Sequence, residues 1–306
     1  MSKLSITALI LTYNEELHLD RCLSSINEIC DTILIVDSFS NDNTLKIAKN
    51  YKAHIIQNEW VNHAYQINWA LNNFNFSTDW VFRIDADEYV SSELILNLQR
   101  QFCQLSMDVK GICINRLMYF MNSPLKRGGM YPIKHLRLWR VGSAYCEQRW
   151  MDERMKLTAG KLIEVEGDLI DHNLNNMTWW TNKHNNYATK EMLDFFDNKY
   201  SYFNKDSVKA SFWGRPEERR RWVKHQYLNL PLFIRPFLFF LYRYFIQLAI
   251  LEGKRGFIWT FLQCFWYRFL VDVKINEVYQ SVGGNKEEVY SFLNKTYKNF
   301  PLKNKN

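Results

Sequence analysis

The sequence predicts an α/β protein with a mostly parallel sheet, followed by a pair of amphipathic C-terminal helices. Three observations lead to this fold class. Apolar runs of strand length alternate with helical patterns, polar clusters follow the first strands, and the last third is rich in large apolar and aromatic residues. Such alternation is typical of βαβ units, in which helices cover a parallel sheet.

The first part of the chain is predicted to contain four strands and three helices. The strands are Ile6–Leu11, Thr32–Asp37, His54–Gln57 and Trp80–Ile84, and the helices are Glu16–Ile26, Asn43–Tyr51 and Asn62–Phe74. Apolar runs of this length between turn-forming residues favour buried strands, and the intervening amphipathic patterns favour helices. We expect residues 1–90 to form a nucleotide-binding half.

The next part is expected to form the acceptor-binding half of the same domain, residues 91–200. From Gly111 to Arg140 the pattern changes to short β-prone pieces, interrupted by glycines and by Pro132. A further helix is predicted over Thr178–Phe196.

Residues 201–306 are predicted to form a basic, aromatic, helical region that associates with a membrane. No stretch reaches the roughly 18 to 20 uncharged apolar residues that a spanning helix needs. We expect two helices around a turn at Gly253–Gly256, contacting a membrane surface through residues 215–270. A hairpin that packs on the catalytic domain, or a dimer interface, is the alternative.

Composition limits the class of protein. A chain of 306 residues with 47% hydrophobic residues can form a core, so disorder is not expected. The net charge of +7 indicates an anionic partner, which could be nucleic acid, lipid headgroups or a phosphorylated substrate. The six cysteines show no CxxC pair, which favours reduced thiols. The N-terminus lacks a secretion-signal pattern, so a cytoplasmic location is expected.

Polar clusters follow three of the predicted strands. They are Thr12, Tyr13, Asn14 and Glu15 after the first strand, Asp37 and Ser38 at the end of the second, and Asp85, Ala86 and Asp87 after the fourth. In open α/β sheets, ligands bind beyond the carboxyl ends of the strands. We therefore expect a nucleotide at this edge of the sheet.

Asp85 and Asp87 form a DxD pattern at the end of an apolar strand. At a strand end that turns into a loop, both carboxylates can approach one hard divalent cation, which can bridge the phosphates of a nucleotide sugar. Taken alone, such a pair can also be a solvated turn.

The three clusters, in this order, resemble the family 2 glycosyltransferases, whose GT-A fold has a Rossmann-like nucleotide-binding half with a mixed sheet. The resemblance implies that Thr12, Tyr13, Asn14 and Glu15 line the base and ribose, and that Asp37 contacts the base. Ser38 is included among the residues that bind the donor. It further implies that Asp85 and Asp87 serve the diphosphate and the metal, Mg²⁺ or Mn²⁺. Ala86 is included among the residues that bind the donor. The alternative for Glu15 is a charge at a helix start, favoured by the helix dipole.

An inverting transfer needs one general base that deprotonates the acceptor hydroxyl. By the resemblance, the candidates are Asp152 and Glu153, with Asp152 preferred; the alternative is a surface turn paired with neighbouring arginines. His172 is located where related enzymes supply a histidine to the metal, although a lone histidine can equally be a satisfied polar residue.

The segments around Arg127, Arg137 and Trp179 narrow the resemblance to bacterial transferases that extend lipopolysaccharide core, O-antigen or capsule. That subgroup implies a UDP-hexose donor, a lipid-linked saccharide acceptor, and a peripheral position on the inner face of the cytoplasmic membrane. His135, Arg137 and Arg140 could contact a phosphate. Alternatively, their segment is an edge strand with a solvated face.

Two other functions fit parts of the sequence. A nucleotidyltransferase shares the acidic metal ligands, but it usually has a Gly-rich loop with a basic residue after the first strand, where this chain has Thr12–Glu15. A nucleic-acid-binding protein would fit the charge, but the basic residues gather in the aromatic last third and no recognition motif is present. We therefore expect no nucleic acid partner.

Overall fold

The computed structural model describes residues 5–102, 104–147, 154–202, 213, 222–223 and 226–297. They belong to two compact units, residues 1–175 and 176–306. The predicted limit of the catalytic domain at residue 200 lies at the end of a helix of the second unit.

The first unit is α/β. Its strands are β1 Ile6–Thr12, β2 Thr32–Asp37, β3 His54–Gln57, β4 Trp80–Arg83, β5 Glu88–Val90, β6 Val109–Phe120, β7 Ser123–Pro124, β8 Ile133–Arg140, β9 Ala144–Cys146, β10 Met155–Leu157 and β11 Lys161–Asp171. Its helices are α1 Leu19–Ile26, α2 Thr44–Asn50, α3 His63–Asn73 and α4 Ser92–Phe102. The predicted strands and helices of the nucleotide-binding half are confirmed, with ends shifted by a few residues.

Within the described residues, a mixed sheet has the strand order β3-β2-β1-β4-β8-β6-β11-β5, and β7 pairs with β6. The strands β3, β2, β1 and β4 are parallel to one another. The strand β8 runs antiparallel to both β4 and β6. β9 and β10 form a separate two-stranded ribbon. The sheet therefore has a parallel half and a mixed half.

The central strands are apolar because both faces of the sheet are covered. Ile10 packs with Leu23 of α1 in one buried cluster. Leu9, whose side chain points to the other face, packs with Ile67 of α3 in a second cluster. Strands buried on both faces give the continuous apolar runs from which they were predicted.

The segment 84–87 occupies a special place in this topology. It connects β4 to β5, and those two strands are separated in the sheet by β8, β6 and β11. The segment must therefore cross the ends of three strands. The Asp85-Ala86-Asp87 sequence lies in this crossing.

The expectation of short pieces over 111–140 is wrong, because this region contains the twelve-residue strand β6 and the eight-residue strand β8. The long strand β11 was not predicted. Its register against β6 shifts between Val165 and Asp168, where Gly167 has a φ of +105°. A bulge of this kind breaks the alternation by which a strand is recognised.

The described part of the second unit is helical. It comprises α5 Met177–Tyr200, α6 Ile234–Leu241, a π-helical segment Tyr242–Ile246, a 3₁₀ turn Ala249–Glu252, α7 Gly253–Thr260, a π-helical segment Phe261–Trp266, α8 Tyr267–Val282 and α9 Lys286–Thr296. The helix predicted over Thr178–Phe196 is confirmed by α5.

The predicted turn at Gly253–Gly256 is wrong in position. The chain turns earlier, near Leu248, which has a φ of +61°, and Gly253 begins α7. A Cβ on Gly256 would lie 2.1 Å from the carbonyl oxygen of Ala249. This glycine therefore serves close packing of α7 on the 3₁₀ turn instead of a chain reversal.

Among the described residues, no single helix is both long and apolar enough to cross a membrane. By length and composition only, one pair of helices, Ile234–Ile246 and Ala249–Val282, meets the criterion when taken together, with a bend of 69° between its members.

Candidate functional site

The loops that follow β1 and β2 are joined by hydrogen bonds. Thr12 Oγ1 donates to Asp37 Oδ1 over 3.0 Å. The main-chain N–H of Asn14 donates to Ser40 Oγ over 2.9 Å, and the N–H of Asn41 donates to Asn14 Oδ1 over 2.9 Å. Asn14 has a φ of +56°, a conformation that asparagine tolerates better than most residues. The two predicted clusters therefore form one polar surface.

The Asp37 carboxylate is fully buried and has several donors. Besides Thr12, Oδ1 accepts a hydrogen bond from Ser40 Oγ, and Oδ2 accepts from the Ser40 N–H at 2.9 Å and from Gln57 Nε2 at 3.0 Å. Asp37 therefore organises the loop after β2. A base N–H that bonded to this carboxylate would compete with these donors.

Three other predicted contacts differ in exposure. The Tyr13 side chain is 60% exposed, so its ring face is available for stacking. Ser38 is buried, and its Oγ accepts a hydrogen bond from Gln66 Nε2 over 2.8 Å. Ala86 is also buried, so it could meet a ligand only through its main chain.

Asp85 faces two arginines and a histidine. Its Oδ1 lies 3.0 Å from Arg83 Nη2 and 3.9 Å from His63 Nε2, and its Oδ2 lies 3.5 Å from Arg137 Nη1. Loss of hydration favours the neutral acid, but Arg83 and Arg137 outweigh it and hold the pKa of Asp85 well below its usual range. Asp85 is therefore a carboxylate at neutral pH.

Glu88 is a buried carboxyl that shapes the same segment. Its Oε2 accepts a hydrogen bond from the Asp85 N–H over 2.9 Å, and its Oε1 accepts from Arg137 Nη2 over 2.5 Å. Burial raises the pKa of Glu88 to about 8; Arg137 opposes this shift and the Asp85 charge adds to it. Glu88 thus positions the main chain of Asp85 and the Arg137 side chain.

Asp87 and His172 are brought together across two strands. The His172 N–H donates to the Asp87 carbonyl over 3.1 Å, extending the antiparallel pairing of β11 with β5. Asn173 Nδ2 donates to Asp87 Oδ2 over 3.0 Å. Arg21 Nη2 donates to the carbonyl oxygens of Asp87, at 3.2 Å, and of His172, at 2.5 Å.

The His172 ring is suited to the neutral form. Arg21 Nη1 lies 3.3 Å from Nδ1, and Asn122 Oδ1 lies 3.0 Å from Nε2. Because a guanidinium can only donate, Nδ1 is the acceptor and Nε2 bears the proton. Burial lowers the pKa of His172, and the Arg21 charge lowers it further.

The donor set fits a divalent cation only in part. The described residues contain no group of three or more His, Cys, Asp or Glu side chains arranged as a metal site. Asp87 offers one carboxylate beside His172. The one ring lone pair of His172, on Nδ1, is directed at Arg21, so this ring would bind a cation only after that contact is released. Asp85 is engaged by arginines. A Mg²⁺-type ion commonly takes one or two protein ligands and completes its shell with waters and substrate phosphates. Asp87 alone, or Asp87 with His172 released from Arg21, would be sufficient for such a site.

The predicted general base candidates, Asp152 and Glu153, lie outside the described residues. The residues nearest them in the described chain are Glu147 and Arg154, which are joined by a hydrogen bond of 2.9 Å from the Glu147 N–H to the Arg154 carbonyl. They extend the β9–β10 ribbon, which is held by Asn68 of α3 through hydrogen bonds to Cys146.

The edge-strand interpretation of 133–140 is wrong, because β8 lies inside the sheet between β4 and β6. Arg137 is buried beside Asp85 and Glu88. Arg140 pairs instead with Trp80, at the start of β4, so it lies at the opposite end of that strand from Asp85. A role for Arg140 in phosphate binding at this site is therefore a wrong prediction.

His135 lies among several cations. Burial lowers its pKa to about 3, and the charges of Arg137, Arg116, Arg83 and Arg154 act in the same direction. His135 Nε2 is buried and has no hydrogen-bond partner among the residues that the structure describes. The residue is therefore neutral throughout the physiological range.

Sequence reasoning did not identify His18, Arg21 or Glu88. His18 and Arg21 lie at the start of α1, immediately after the Thr12–Glu15 cluster, and both contact the segment around His172. The sequence signal that could have found them is a pair of basic side chains in the first turn after a ligand-binding loop. Glu88 directly follows the DxD pattern and could have been noted for that reason.

Side chains of α1 contact the segment 85–90, which contains the Asp85–Asp87 cluster. Arg21 contacts Asp87, Cys22 Sγ lies 3.6 Å from the Asp85 carbonyl, and Ser25 Oγ accepts a hydrogen bond from the Val90 N–H. The helix that starts after the β1 loop thus lies along the whole 85–90 segment.

Comparisons with known proteins show a likeness to glycosyltransferases. Residues 7–150 match the family model described as glycosyl transferase family 2. The chain is 35% identical over 103 residues to an uncharacterized glycosyltransferase of Rickettsia typhi. The matched region covers 34% of this chain and 35% of that protein. It is 31% identical over 145 residues to the lipopolysaccharide core biosynthesis glycosyltransferase LpsC of Rhizobium meliloti. This matched region covers 46% of this chain and 52% of that protein.

A similar solved structure is that of the mannosyltransferase PcManGT from Pyrobaculum calidifontis in complex with GDP-Man and Mn²⁺. The two chains share 14% identity and align with a TM-score of 0.49, over 89% of this chain and 87% of that one. The matched region spans about a third of the length of the Rickettsia relative and about half of LpsC.

Proposed function

Residues 7–150 match the family 2 glycosyltransferases, and on this premise we propose that the protein transfers a sugar from a nucleotide diphosphate donor to a lipid-linked saccharide. The observation that carries the proposal is the convergence of the β1 and β2 loops with the Asp85–Asp87 segment at one edge of the sheet. The family match favours this reaction over a nucleotidyltransferase and over nucleic-acid binding.

The donor nucleotide would bind on the loops after β1 and β2. Tyr13 presents an exposed ring on which a base can stack, and Asn14 and Ser38 belong to the same hydrogen-bonded surface. Thr12 and Asp37 are buried below it and give the loops their shape. We favour a uridine nucleotide, UDP-hexose, as donor.

Asp87, together with His172 once its Nδ1 leaves Arg21, would hold a divalent cation, Mg²⁺ or Mn²⁺. Asp85 and the main chain of Ala86 would lie near the diphosphate. When bound, the cation neutralises negative charge on the departing diphosphate. Arg21 keeps Asp87 and His172 together. Arg83 and Arg137 keep Asp85 ionised, and Glu88 orients the main chain of Asp85.

The acceptor hydroxyl needs one general base, for which we propose Asp152, with Glu153 as the alternative. A single-displacement transfer inverts the anomeric centre and needs no covalent intermediate, so one carboxylate is sufficient. The neutral His135 near Arg154 is a poor competitor for this role, since its pKa of about 3 makes it a weak base.

The similarity to LpsC supports a saccharide acceptor of the lipopolysaccharide, O-antigen or capsule type. We propose that the second unit contacts the inner face of the cytoplasmic membrane, where a lipid-linked acceptor is located. On α6 and the π-helical segment after it, six large apolar side chains are exposed: Ile234, Phe237, Leu238, Tyr242, Phe245 and Ile246. The only charged residue of α6, Arg235, is buried against Asp272. The outward face of α6 is therefore apolar, which suits a lipid interface.

The membrane contact is tested by vesicle flotation. The Phe237→Ser/Phe245→Ser double variant should lose most binding to vesicles of phosphatidylethanolamine and phosphatidylglycerol, because both exposed rings become polar. The control is Leu96→Ser/Leu162→Ser, which alters exposed apolar side chains of the first unit and should bind as wild type does. Equal flotation of both double variants would refute the membrane contact. A change of oligomeric state in the first variant would favour a dimer interface.

The proposed activity is tested by incubating the protein with a panel of UDP- and GDP-sugars and measuring release of the nucleoside diphosphate. We expect slow hydrolysis of one donor with Mn²⁺ or Mg²⁺, and none with excess EDTA, because the cation stabilises the leaving group. Hydrolysis that is unaffected by EDTA would contradict the metal role. Absence of turnover with every donor, together with absence of nucleotide binding, would contradict the proposed function.

A further inference from the structure

His18 is a buried polar side chain that joins two loops of the site. It is 1% exposed and precedes the first residue of α1. Its Nδ1 lies 2.7 Å from Glu15 Oε2, in the loop after β1. Its Nε2 lies 2.9 Å from the main-chain N of Leu174, in the segment after β11. The ring therefore bridges the loop predicted to bind the nucleotide and the segment that carries His172.

The two hydrogen bonds define the tautomer of the ring. A main-chain N–H can only donate, so Nε2 of His18 accepts from Leu174 and bears no proton. The proton of the neutral ring is then on Nδ1, where it is donated to the Glu15 carboxylate. A buried ring with both nitrogens paired holds both partners in a defined geometry.

The other contacts of the segment 172–174 are made mainly by His172 and by the Asn173 side chain. His172 bonds to Asp87 through its N–H, to Arg21 through its carbonyl and Nδ1, and to Asn122 through Nε2. The Asn173 side chain bonds to Asp87 and accepts from the Asn175 N–H. Leu174 itself has an exposed side chain and cannot anchor the segment by packing. Among the described residues, the bond to His18 is the one that ties the main chain beyond His172 to another element.

We propose that His18 is a positioning residue that holds His172 in place for the divalent cation and Glu15 in place for the nucleotide. This inference rests on the proposed function. Its consequence is that each ring nitrogen of His18 supports a different part of the site. Nε2 supports the segment next to the cation, and Nδ1 supports the loop next to the nucleoside.

Two substitutions separate the nitrogens, because each amide side chain reproduces one of them. In His18→Asn, the amide can still donate to Glu15 from about the position of Nδ1, but nothing reaches Leu174. In His18→Gln, the amide oxygen can still accept from the Leu174 N–H near the position of Nε2, but the donation to Glu15 is lost. Both variants lose the ring to a similar extent, so each controls for the other.

Hydrogen–deuterium exchange of the protein without ligands tests the link to the segment. In His18→Asn, we expect a peptide that includes residues 173–176 to exchange at least about tenfold faster than in wild type, because the Leu174 amide loses its acceptor. In His18→Gln, the same peptide should remain near the wild-type rate. Equal exchange in wild type and His18→Asn would overturn the inference.

Donor hydrolysis tests whether the two ring nitrogens affect cation binding and nucleotide binding separately. His18→Asn should raise the Mn²⁺ concentration for half-maximal rate by about tenfold or more, the range seen when support for a metal ligand is removed. His18→Gln should instead raise the KM for the nucleotide sugar and leave the Mn²⁺ requirement near wild type. Equal changes in both parameters in both variants would mean a general structural role and would overturn the inference. No Mn²⁺-dependent hydrolysis by the wild-type protein would overturn the proposed function, while the exchange measurement would still decide whether His18 holds the segment.

Discussion

The main-chain N–H of His172 donates a hydrogen bond to the main-chain carbonyl of Asp87 over 3.1 Å. This contact continues the pairing of β11 with β5 by one residue, because Asp171 is the partner of Glu88 in that ladder. Two residues that the sequence singled out separately for a metal thus become direct neighbours through strand register. Any change in the register of β11 would separate them.

Asp87→Asn should abolish transfer and leave the fold intact. The amide oxygen can still accept the hydrogen bond from Asn173, but the charge that binds a cation is lost. We expect kcat to fall at least about 100-fold, with little change in the unfolding midpoint. Asp79→Asn is the matched control, since Asp79 is exposed next to the opposite end of β4. A loss of activity in the control as large as in Asp87→Asn would contradict the assignment.

His135 makes stability depend on pH. Its pKa falls from 6.5 to about 3 on folding, because of burial and the surrounding arginines. Between these two pH values the unfolded chain binds a proton that the folded protein does not, so this contribution to stability is lost as pH falls. Urea unfolding at pH 7.5 and pH 5 should therefore show a smaller loss of stability in His135→Gln than in wild type. An identical loss would refute the lowered pKa; His54→Gln controls for removal of an exposed histidine.

Asp272→Asn should destabilise the second unit by about 3–5 kcal/mol, because it leaves the buried Arg235 charge without its partner. The asparagine can still accept the N–H of Phe233, which bonds to the other carboxylate oxygen over 2.8 Å. Adding Arg235→Met removes the orphaned charge, so the double variant should be more stable than Asp272→Asn alone. Urea denaturation of the four proteins measures this cycle. Additive effects would show that the pair is not coupled.

Gly167→Ala should disturb β11 and, through it, His172. A Cβ at Gly167 would lie 2.5 Å from the main-chain N of Leu94, at a φ of +105°. Gly142→Ala is the control, because Gly142 also has a positive φ, +76°, but a Cβ there meets nothing within 4 Å. Backbone strain alone costs about 1 kcal/mol, so Gly167→Ala should be clearly the more destabilising in thermal unfolding. Equal effects would show that the close approach to Leu94 is relieved without cost.

The parallel half of the sheet was predictable because its strands are buried on both faces and therefore appear as apolar runs. The mixed half was not. β6 and β8 include Asn115, Arg116 and Arg137, which look like loop residues in a sequence but are buried or half-buried in the sheet; Arg116 and Arg137 pair there with Asp171 and Glu88. A buried ion pair becomes visible only when both partners are placed.

The predicted site residues follow the same division. Positions at the ends of parallel strands, such as Thr12 and Asp85, were found from strand ends alone, because parallel strands present their carboxyl ends at one edge. The roles of His18 and Arg21 depend on contacts with residues more than a hundred positions away in the chain. Local patterns indicate that a helix begins there, but they do not indicate which groups its first turn will meet.

The central claim is that a divalent cation and a nucleoside diphosphate bind together between the β1 loop and the Asp87–His172 pair. The most direct measurement is isothermal titration of the protein with UDP, and separately with GDP, in Mn²⁺ and in EDTA. The account predicts that one of them binds at least about tenfold more tightly with Mn²⁺, a coupling of about 1.4 kcal/mol, and that Asp87→Asn abolishes this gain. Affinities that are the same in Mn²⁺ and EDTA, or a gain that survives in Asp87→Asn, would contradict it.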